Sequence, residues 1–289
     1  MQLEFDTCDV FTTTRFGGNP LAVVYGAGAL DGAAMQTIAR EFNLSETVFV
    51  LHADAASASA RIRIFTPAIE LPFAGHPNVG TAVMLARRLG IGGDQIALDQ
   101  PPGRVPARLA RDATGVPTAA TIEAPGNFAR GAAIVPAAVA ACATLPVSSV
   151  IGAPCIGSCG APFAIAELTD AASLAAASPD PAAFAAHLPG SAAIGLHLFS
   201  RLGPGRLRTR MFAPLSGIAE DPATGGANVA LGGLLLDLAG GDHLAVEIEQ
   251  GIEMGRPSLL SVVARREAGA IRVTVGGGVV AVARGTLSV

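Results

Sequence analysis

The chain has no lysine: all 19 of its basic residues are arginine. No Schiff base to pyridoxal phosphate and no phosphate-loop lysine can therefore form, which excludes two large enzyme classes. Cysteine is sparse, and Cys8, Cys142, Cys155 and Cys159 include no C-x-x-C pair. Cys155 and Cys159 are four apart, but no histidine is near enough in sequence to complete a recognisable zinc site, so reduced thiols in a cytosolic protein are expected. The histidines His52, His76, His187, His197 and His243 stand singly, and no metal is indicated. A basic block is missing too, and the net charge of −4 argues against a nucleic-acid partner. The longest apolar stretches, around 132–147 and 227–239, are interrupted by prolines or by Asp237 and fall short of a membrane span. The opening residues MQLEFDTCDVF carry early acids and alternate, where a secretory signal would run from basic to apolar. A cytoplasmic location, with neither nucleic acid nor membrane as partner, is the expectation.

What the chain does contain is a repeated stretch. The residues Pro72-Phe73-Ala74-Gly75-His76-Pro77-Asn78-Val79-Gly80 return as PATGGANVALGG from Pro222, an offset of 150 that also aligns Leu85 with Leu235 and Gly90 with Gly240. Arg63-Ile64-Phe65-Thr66-Pro67 leads into the first copy and Arg210-Met211-Phe212-Ala213-Pro214 into the second, at an offset of 147. A duplication with a loop insertion would leave this pattern. With 289 residues, 51% apolar and 15% charged, the chain is expected to fold as two packed, similar halves.

In the first copy Pro77 suits the opening position of a helix, which puts Gly75 and His76 at its mouth. Val79, Ala82, Val83, Leu85 and Ala86 then follow helical spacing as far as Gly90, a C-terminal stop signal. Gly225 and Gly226 open the second run, which ends at Gly240. Each helix N-terminus offers unpaired N–H groups and partial positive charge, a seat for a carboxylate. Glycine turns also join strands to helices with no further role; here they recur with polar groups at each mouth.

Elsewhere the pattern alternates. Strands are expected at Leu3 to Phe11, Leu21 to Tyr25, Glu46 to Leu51, Arg61 to Phe65, Gln95 to Leu98, Val105 to Leu109 and Ala120 to Glu123, with a helix from the Asp31 cap to Phe42 and a loop over Ala53 to Ala60. The Pro/Gly/Ala-rich segment near Pro125 to Ala133 is the candidate boundary. Beyond it strands are expected at Phe163 to Leu168, Ile194 to Phe199, Leu207 to Phe212, Ala245 to Ile248, Leu259 to Ala264, Ile271 to Val275 and Val279 to Ala283, with short helices at Ala171 to Ala177 and Pro181 to Leu188. Arg206, Arg208 and Arg210 would share one strand face, read as solvated, with Arg210 the one that could support a cleft.

DVFTTTRFGGNPLAVV, NLSETVFV, FTPAIELPFAGHPNVGTA, FAPLSGIAEDPATGGANVAL and EQGIEMGRPS resemble, in order over residues 9–258, the signature segments of the phenazine-biosynthesis isomerase-like family. The resemblance implies an α+β, diaminopimelate-epimerase-like fold: two pseudo-symmetric domains, each a mixed curled sheet around a central helix, with the active site in the cleft between them. The lobes would span 1–125, completed by about 279–289, and 126–278. It further implies a cofactor-independent isomerase that moves a proton on a small carboxylate-bearing substrate, and it is compatible with a homodimer. Glu46 matches the family's general acid/base, which must be neutral part of the time and so needs burial beside Val48 and Phe49. His76 and Asp221 match its cleft histidine and aspartate. Gly75, Gly225 and Gly226 would offer amides to the carboxylate, and Asn19 is a further candidate for substrate binding.

Without the family, Glu46 is more often a solvated strand-edge residue, His76 a helix cap, and Asp221 and Asn19 turn residues. Thr224-Gly225-Gly226-Ala227 departs from the TGSA common in the family; a hydroxyl that could bind substrate is missing, which puts identity of substrate with the phenazine-pathway member in doubt. Two alternatives stand beside the isomerase: an amino-acid epimerase or racemase on the same fold, and a non-catalytic small-ligand-binding protein. The two-thiol epimerase mechanism is disfavoured, because His76 and Gly226 hold the repeat positions where cysteines would be needed.

Overall fold

The alternating first residues form β1 (Gln2–Val10), paired antiparallel with β2 (Asn19–Tyr25). In the computed structural model, which describes residues 1–101 and 103–289, this hairpin opens the first of two compact units, residues 1–123 with 276–289; the second is residues 124–275. Helix α1 (Gly32–Phe42) starts where the Asp31 carboxylate accepts the Ala34 N–H and stops at Asn43, whose φ is 50°. β3 (Glu46–Asp54) lies parallel to β2, and β4 (Ser59–Phe65) runs back along it, joined by a turn shorter than the expected loop. After β5 (Glu70–Leu71) comes α2 (Gly75–Leu89), followed by β6 (Gln95–Gln100), β7 (Gly103–Arg111) and β8 (Pro117–Glu123).

The sheet curls around α2, which touches β1, β2, β3, β6, β7 and β8. Residues 75–86 of that helix are buried without exception, which explains why its sequence is small and apolar on every face. On the sheet's other side Met35 and Ala39 of α1 pack with Leu3, Val24, Phe49 and Phe65. The helix begins at Gly75, two residues before the expected start at Pro77. Proline is tolerated at the third position as well as the first, because no N–H of the opening turn has an intrahelical partner; Asn78 is the first to bond back, to the Ala74 carbonyl.

The second unit contains β9 (Ala129–Ala133), α3 (Pro136–Cys142), β10 (Val150–Ser158), β11 (Pro162–Leu168), α4 (Ala171–Ala176), α5 (Pro181–His187), β12 (Leu196–Gly203), β13 (Arg206–Ala213), β14 (Ile218–Asp221), α6 (Gly225–Ala239), β15 (His243–Gln250) and β16 (Ser258–Glu267). Its pairing order repeats the first: β10 antiparallel to β11, β11 parallel to β12, β12 antiparallel to β13, and β13 parallel to β15 across the central helix. Helices α3, α4 and α5 cover the outer face with Val139, Leu174 and Phe184. Residues β9, α3 and β10 were not anticipated from sequence, and β9 occupies the expected linker.

Two expectations are corrected. Arg210 is not solvated: it is 6% exposed, its guanidinium donates to both Glu220 carboxylate oxygens at 2.8 Å, and Nη1 donates to the carbonyls of Leu174, Ala175 and Ala177. A buried guanidinium needs such a full set of acceptors; Arg206 and Arg208 pair with Glu249 nearer solvent. The strands expected at Ile271 to Val275 and Val279 to Ala283 are one, β17 (Ala270–Ser288), whose later part pairs with β1 from Val10↔Val279 to Gln2↔Ser288. Among the described residues no helix is long and apolar enough to cross a membrane.

The glycines that made β17 look broken are there for close approach. A Cβ on Gly278 would lie 2.5 Å from the backbone carbonyl oxygen of Thr12, whose N–H bonds Gly278. Gly278→Ala is expected to cost about 1–3 kcal/mol and lower Tm by a few degrees, whereas Gly92→Ala, at a position open on all sides, leaves Tm nearly unchanged; differential scanning calorimetry of both variants checks this.

Candidate active site

Chain topology brings the first unit's acid and its histidine together. β3 starts where antiparallel β4 ends, in the register Thr47↔Phe65, and the chain leaving β4 turns back through the short β5 to the N-terminus of α2. Glu46, the first residue of β3, thus meets His76, the second residue of α2: His76 Nε2 lies 3.2 Å from Glu46 Oε2, with side chains 4% and 13% exposed. Glu46 is not the solvated strand-edge residue that its position alone suggests.

Burial pushes the His76 imidazole down from its ordinary range to about 3. The contact is therefore a neutral imidazole against a carboxyl group and not an ion pair, despite the short distance. A neutral ring does not hold the Glu46 carboxyl group by charge, as a fixed cation would.

Gly75 opens α2 behind Ala74, which supplies no side-chain cap, and the first turn carries no acid. Its N–H groups and dipole are left for an anion. Asn78 donates to the Ala74 carbonyl at 2.8 Å, and Gln100 at the end of β6 donates to Asn78 Oδ1 at 2.8 Å, tying strand to helix. Asn19, fully buried, begins β2 two residues before Leu21, the partner of Glu46 in the parallel pair.

In the second unit Asp221 ends β14 and is 7% exposed, just ahead of α6. Gly225 and Gly226 are the first residues of that helix, which again has no side-chain cap. Thr224 stands at the N-cap, yet its hydroxyl donates to Asp221 Oδ2 at 2.5 Å. Gln250 at the end of β15 is the counterpart of Gln100, and Asn228 the counterpart of Asn78; Asn228 Nδ2 donates to Gln250 Oε1 at 2.8 Å. His76 and Glu46 come together in one unit and Asp221, Gly225 and Gly226 in the other. Gln100, Gln250, Thr224 and His197 escaped the sequence reading. The two glutamines were findable, since the offset of 150 that aligns the helices aligns them also.

The thiols are unsuited to act as bases. Burial pushes Cys159 up to about 12 and raises Cys155, so neither is a thiolate near neutrality.

A family model described as phenazine biosynthesis-like protein matches residues 8–285. The chain belongs to that family. Among relatives, it is 36% identical over 275 residues to the trans-2,3-dihydro-3-hydroxyanthranilate isomerase of Pseudomonas aeruginosa, covering 92% of this chain and 91% of the relative. It is equally 36% identical over 298 residues to an uncharacterized isomerase of Mesorhizobium japonicum, covering 96% of each. The crystal structure of a Bacillus anthracis phenazine biosynthesis protein of this family superposes with a TM-score of 0.87 at 22% identity over 100% of both chains. A hydroxyproline epimerase from Agrobacterium vitis follows at a TM-score of 0.68 and 14% identity, covering 99% of this chain and 91% of that one, a likeness of fold alone. The phenazine biosynthesis-like chain thus has the epimerase-like α+β fold that the family resemblance implied.

The unfolded chain binds protons on His76 and His197 between their ordinary value of about 6.5 and the folded values of about 3 and about 4. Stability is therefore full above that window and falls as pH drops through it, by up to ~1.4 kcal/mol per pH unit per imidazole. Urea unfolding at neutral and mildly acid pH is expected to show this loss, roughly halved in His76→Gln; an equal loss in that variant would contradict the buried neutral ring.

Proposed function

We propose that this chain is a cofactor-independent isomerase that relocates a proton on a small carboxylate bearing an amino or hydroxyl group, similar in reaction to its trans-2,3-dihydro-3-hydroxyanthranilate isomerase relatives. The observation that carries the reading is the Glu46 carboxyl set 3.2 Å from a neutral, buried His76 at an uncapped helix N-terminus. Glu46 as carboxylate takes a proton from a substrate carbon; the C–H electron pair moves into the conjugated system of the substrate. Glu46, now a neutral acid, returns a proton at another carbon, so that no electrons and no groups are gained or lost. His76 supports the carboxyl group through its neutral ring and orients the substrate's polar substituent. Asp221 accepts from the substrate's amino or hydroxyl group, the N–H groups at Gly75, Gly225 and Gly226 receive the carboxylate, and Asn19 assists binding. A two-thiol epimerase mechanism is disfavoured by the buried, protonated Cys155 and Cys159.

Glu46→Gln keeps the shape and removes the titrating proton. It is expected to lower kcat about a hundredfold to ten-thousandfold with KM little changed, and to abolish incorporation of solvent deuterium seen by NMR. Full exchange in that variant would remove Glu46 from the mechanism.

Gly226 stands where the family commonly has serine, and the nearest atom to a Cβ built there is on Phe163 at 3.4 Å, an ordinary contact. Gly226→Ser is therefore expected to fold with Tm within a degree or two of the parent. The added hydroxyl should shift relative kcat/KM toward substrates with a further acceptor, measured on a panel of cyclic amino and hydroxy carboxylates.

A further inference from the structure

The two units share a frame but differ in what they hang on it. Arg63-Ile64-Phe65 and Arg210-Met211-Phe212 occupy matching strands, and the registers Val48↔Ile64 and His197↔Met211 make His197 the counterpart of Val48. In the same way Ile64↔Leu71 and Met211↔Asp221 make Asp221 the counterpart of Leu71. Thr224 corresponds to Ala74 by the offset of 150. In the first unit the positions corresponding to His197, Asp221 and Thr224 are therefore apolar: Val48, Leu71 and Ala74. In the second, the Asn228–Gln250 pair is extended by polar groups at both ends.

Backbone groups fix the direction of every bond in that extension. Gln250 Oε1 accepts the Thr224 backbone N–H at 3.2 Å, and its Nε2 donates to the Asp221 backbone carbonyl at 2.8 Å, so the amide cannot be turned round. Asn228 Nδ2 donates to the Thr224 carbonyl at 3.0 Å, which leaves Oδ1 facing His197 Nε2 at 3.1 Å. His197 must then carry its proton on Nε2, as a fully buried neutral ring whose Nδ1 has no hydrogen-bond partner among the described residues. Gln250 Nε2 also donates to Thr224 Oγ1 at 3.1 Å, so the threonine proton is directed to Asp221 Oδ2.

We propose that His197, Asn228, Gln250 and Thr224 form a one-way chain of donors that ends on Asp221 and holds it as a hydrogen-bond-accepting carboxylate, with Gln250 and Thr224 as positioning residues for the group it offers the ligand. Asp221 Oδ2 is then fixed as an acceptor. The ligand must bring a donor to it, an ammonium or a hydroxyl, in addition to its carboxylate. The chain also explains why the N-cap threonine does not cap its helix: its hydroxyl is already committed, and the N–H groups of α6 remain for an anion.

The ligand specificity rests on the reading of Asp221 given above; the direction of the donor chain does not. Two measurements separate them. In ligand-free protein, 15N spectra should show His197 protonated at Nε2, and the Asp221 carboxyl 13C signal should move in Thr224→Val and Gln250→Glu and return in Thr224→Ser. An Nδ1-protonated His197, or an unmoved carboxyl signal, overturns the proposal whether or not any ligand binds. For binding, 3-hydroxyanthranilate and benzoate are titrated by calorimetry. Thr224→Val and Gln250→Glu should weaken the first about tenfold or more and the second less than about twofold, with Thr224→Ser close to the parent. Equal losses for both probes, or no rescue by serine, overturn the positioning role. Unchanged 3-hydroxyanthranilate binding in Asp221→Asn instead sinks the functional reading while the NMR result stands.

Discussion

A helix whose first turn is buried must find partners for N–H groups that its own backbone cannot supply, and this constraint organises both units. The opening residues of α2 are buried, as are Gly225 and Ala227 of α6, and neither helix has a side-chain cap. Buried main-chain donors left without partners are costly, at roughly 1–3 kcal/mol each. The neighbouring polar groups do not relieve that cost: Asn78 and Asn228 bond the carbonyls of Ala74 and Thr224, and the Thr224 hydroxyl turns to Asp221. What each helix mouth offers is a set of donors held in place and aimed along the axis out of the helix end, which suits a bound anion.

The Glu46–His76 contact shows which electrostatic effect prevails. Opposite charges about 4 Å apart attract by ~4 kcal/mol at an effective dielectric near 20, enough to favour an ion pair if solvation were unchanged. Full enclosure of the imidazole opposes this, because burial disfavours the charged ring and pushes it down to about 3. A neutral histidine beside a carboxyl group is a softer partner than a cation.

Much of this was legible because the helix mouths carry strong local signals. Glycines, a proline and periodic apolar residues recur at one spacing, and the family resemblance marked Glu46, His76 and Asp221. Other features could not be read so directly. Arg210 looked like its solvated neighbours Arg206 and Arg208 because strand alternation gives the face and not what covers it; Glu220 and the carbonyls at the end of α4 come from elsewhere in the chain. The segment holding α3 and β10 is rich in alanine and valine with little period to separate helix from strand. Three consecutive glycines made β17 look like two strands, although Gly278 is there because Thr12 passes too close for a side chain. Gln100 and Gln250 sit at strand ends, where a single polar residue resembles ordinary punctuation.

The last strand has a consequence for how the molecule is made. Residues 276–289 belong with residues 1–123, and β1, already paired with β2, finds its second partner in β17 only after the intervening unit has been translated. During vectorial synthesis the amino-terminal segment must wait on the ribosome with one sheet edge unfilled, while residues 124–275 emerge with nearly all of their own partners. The earlier-made unit thus completes its sheet only with the strand that follows the later-made one.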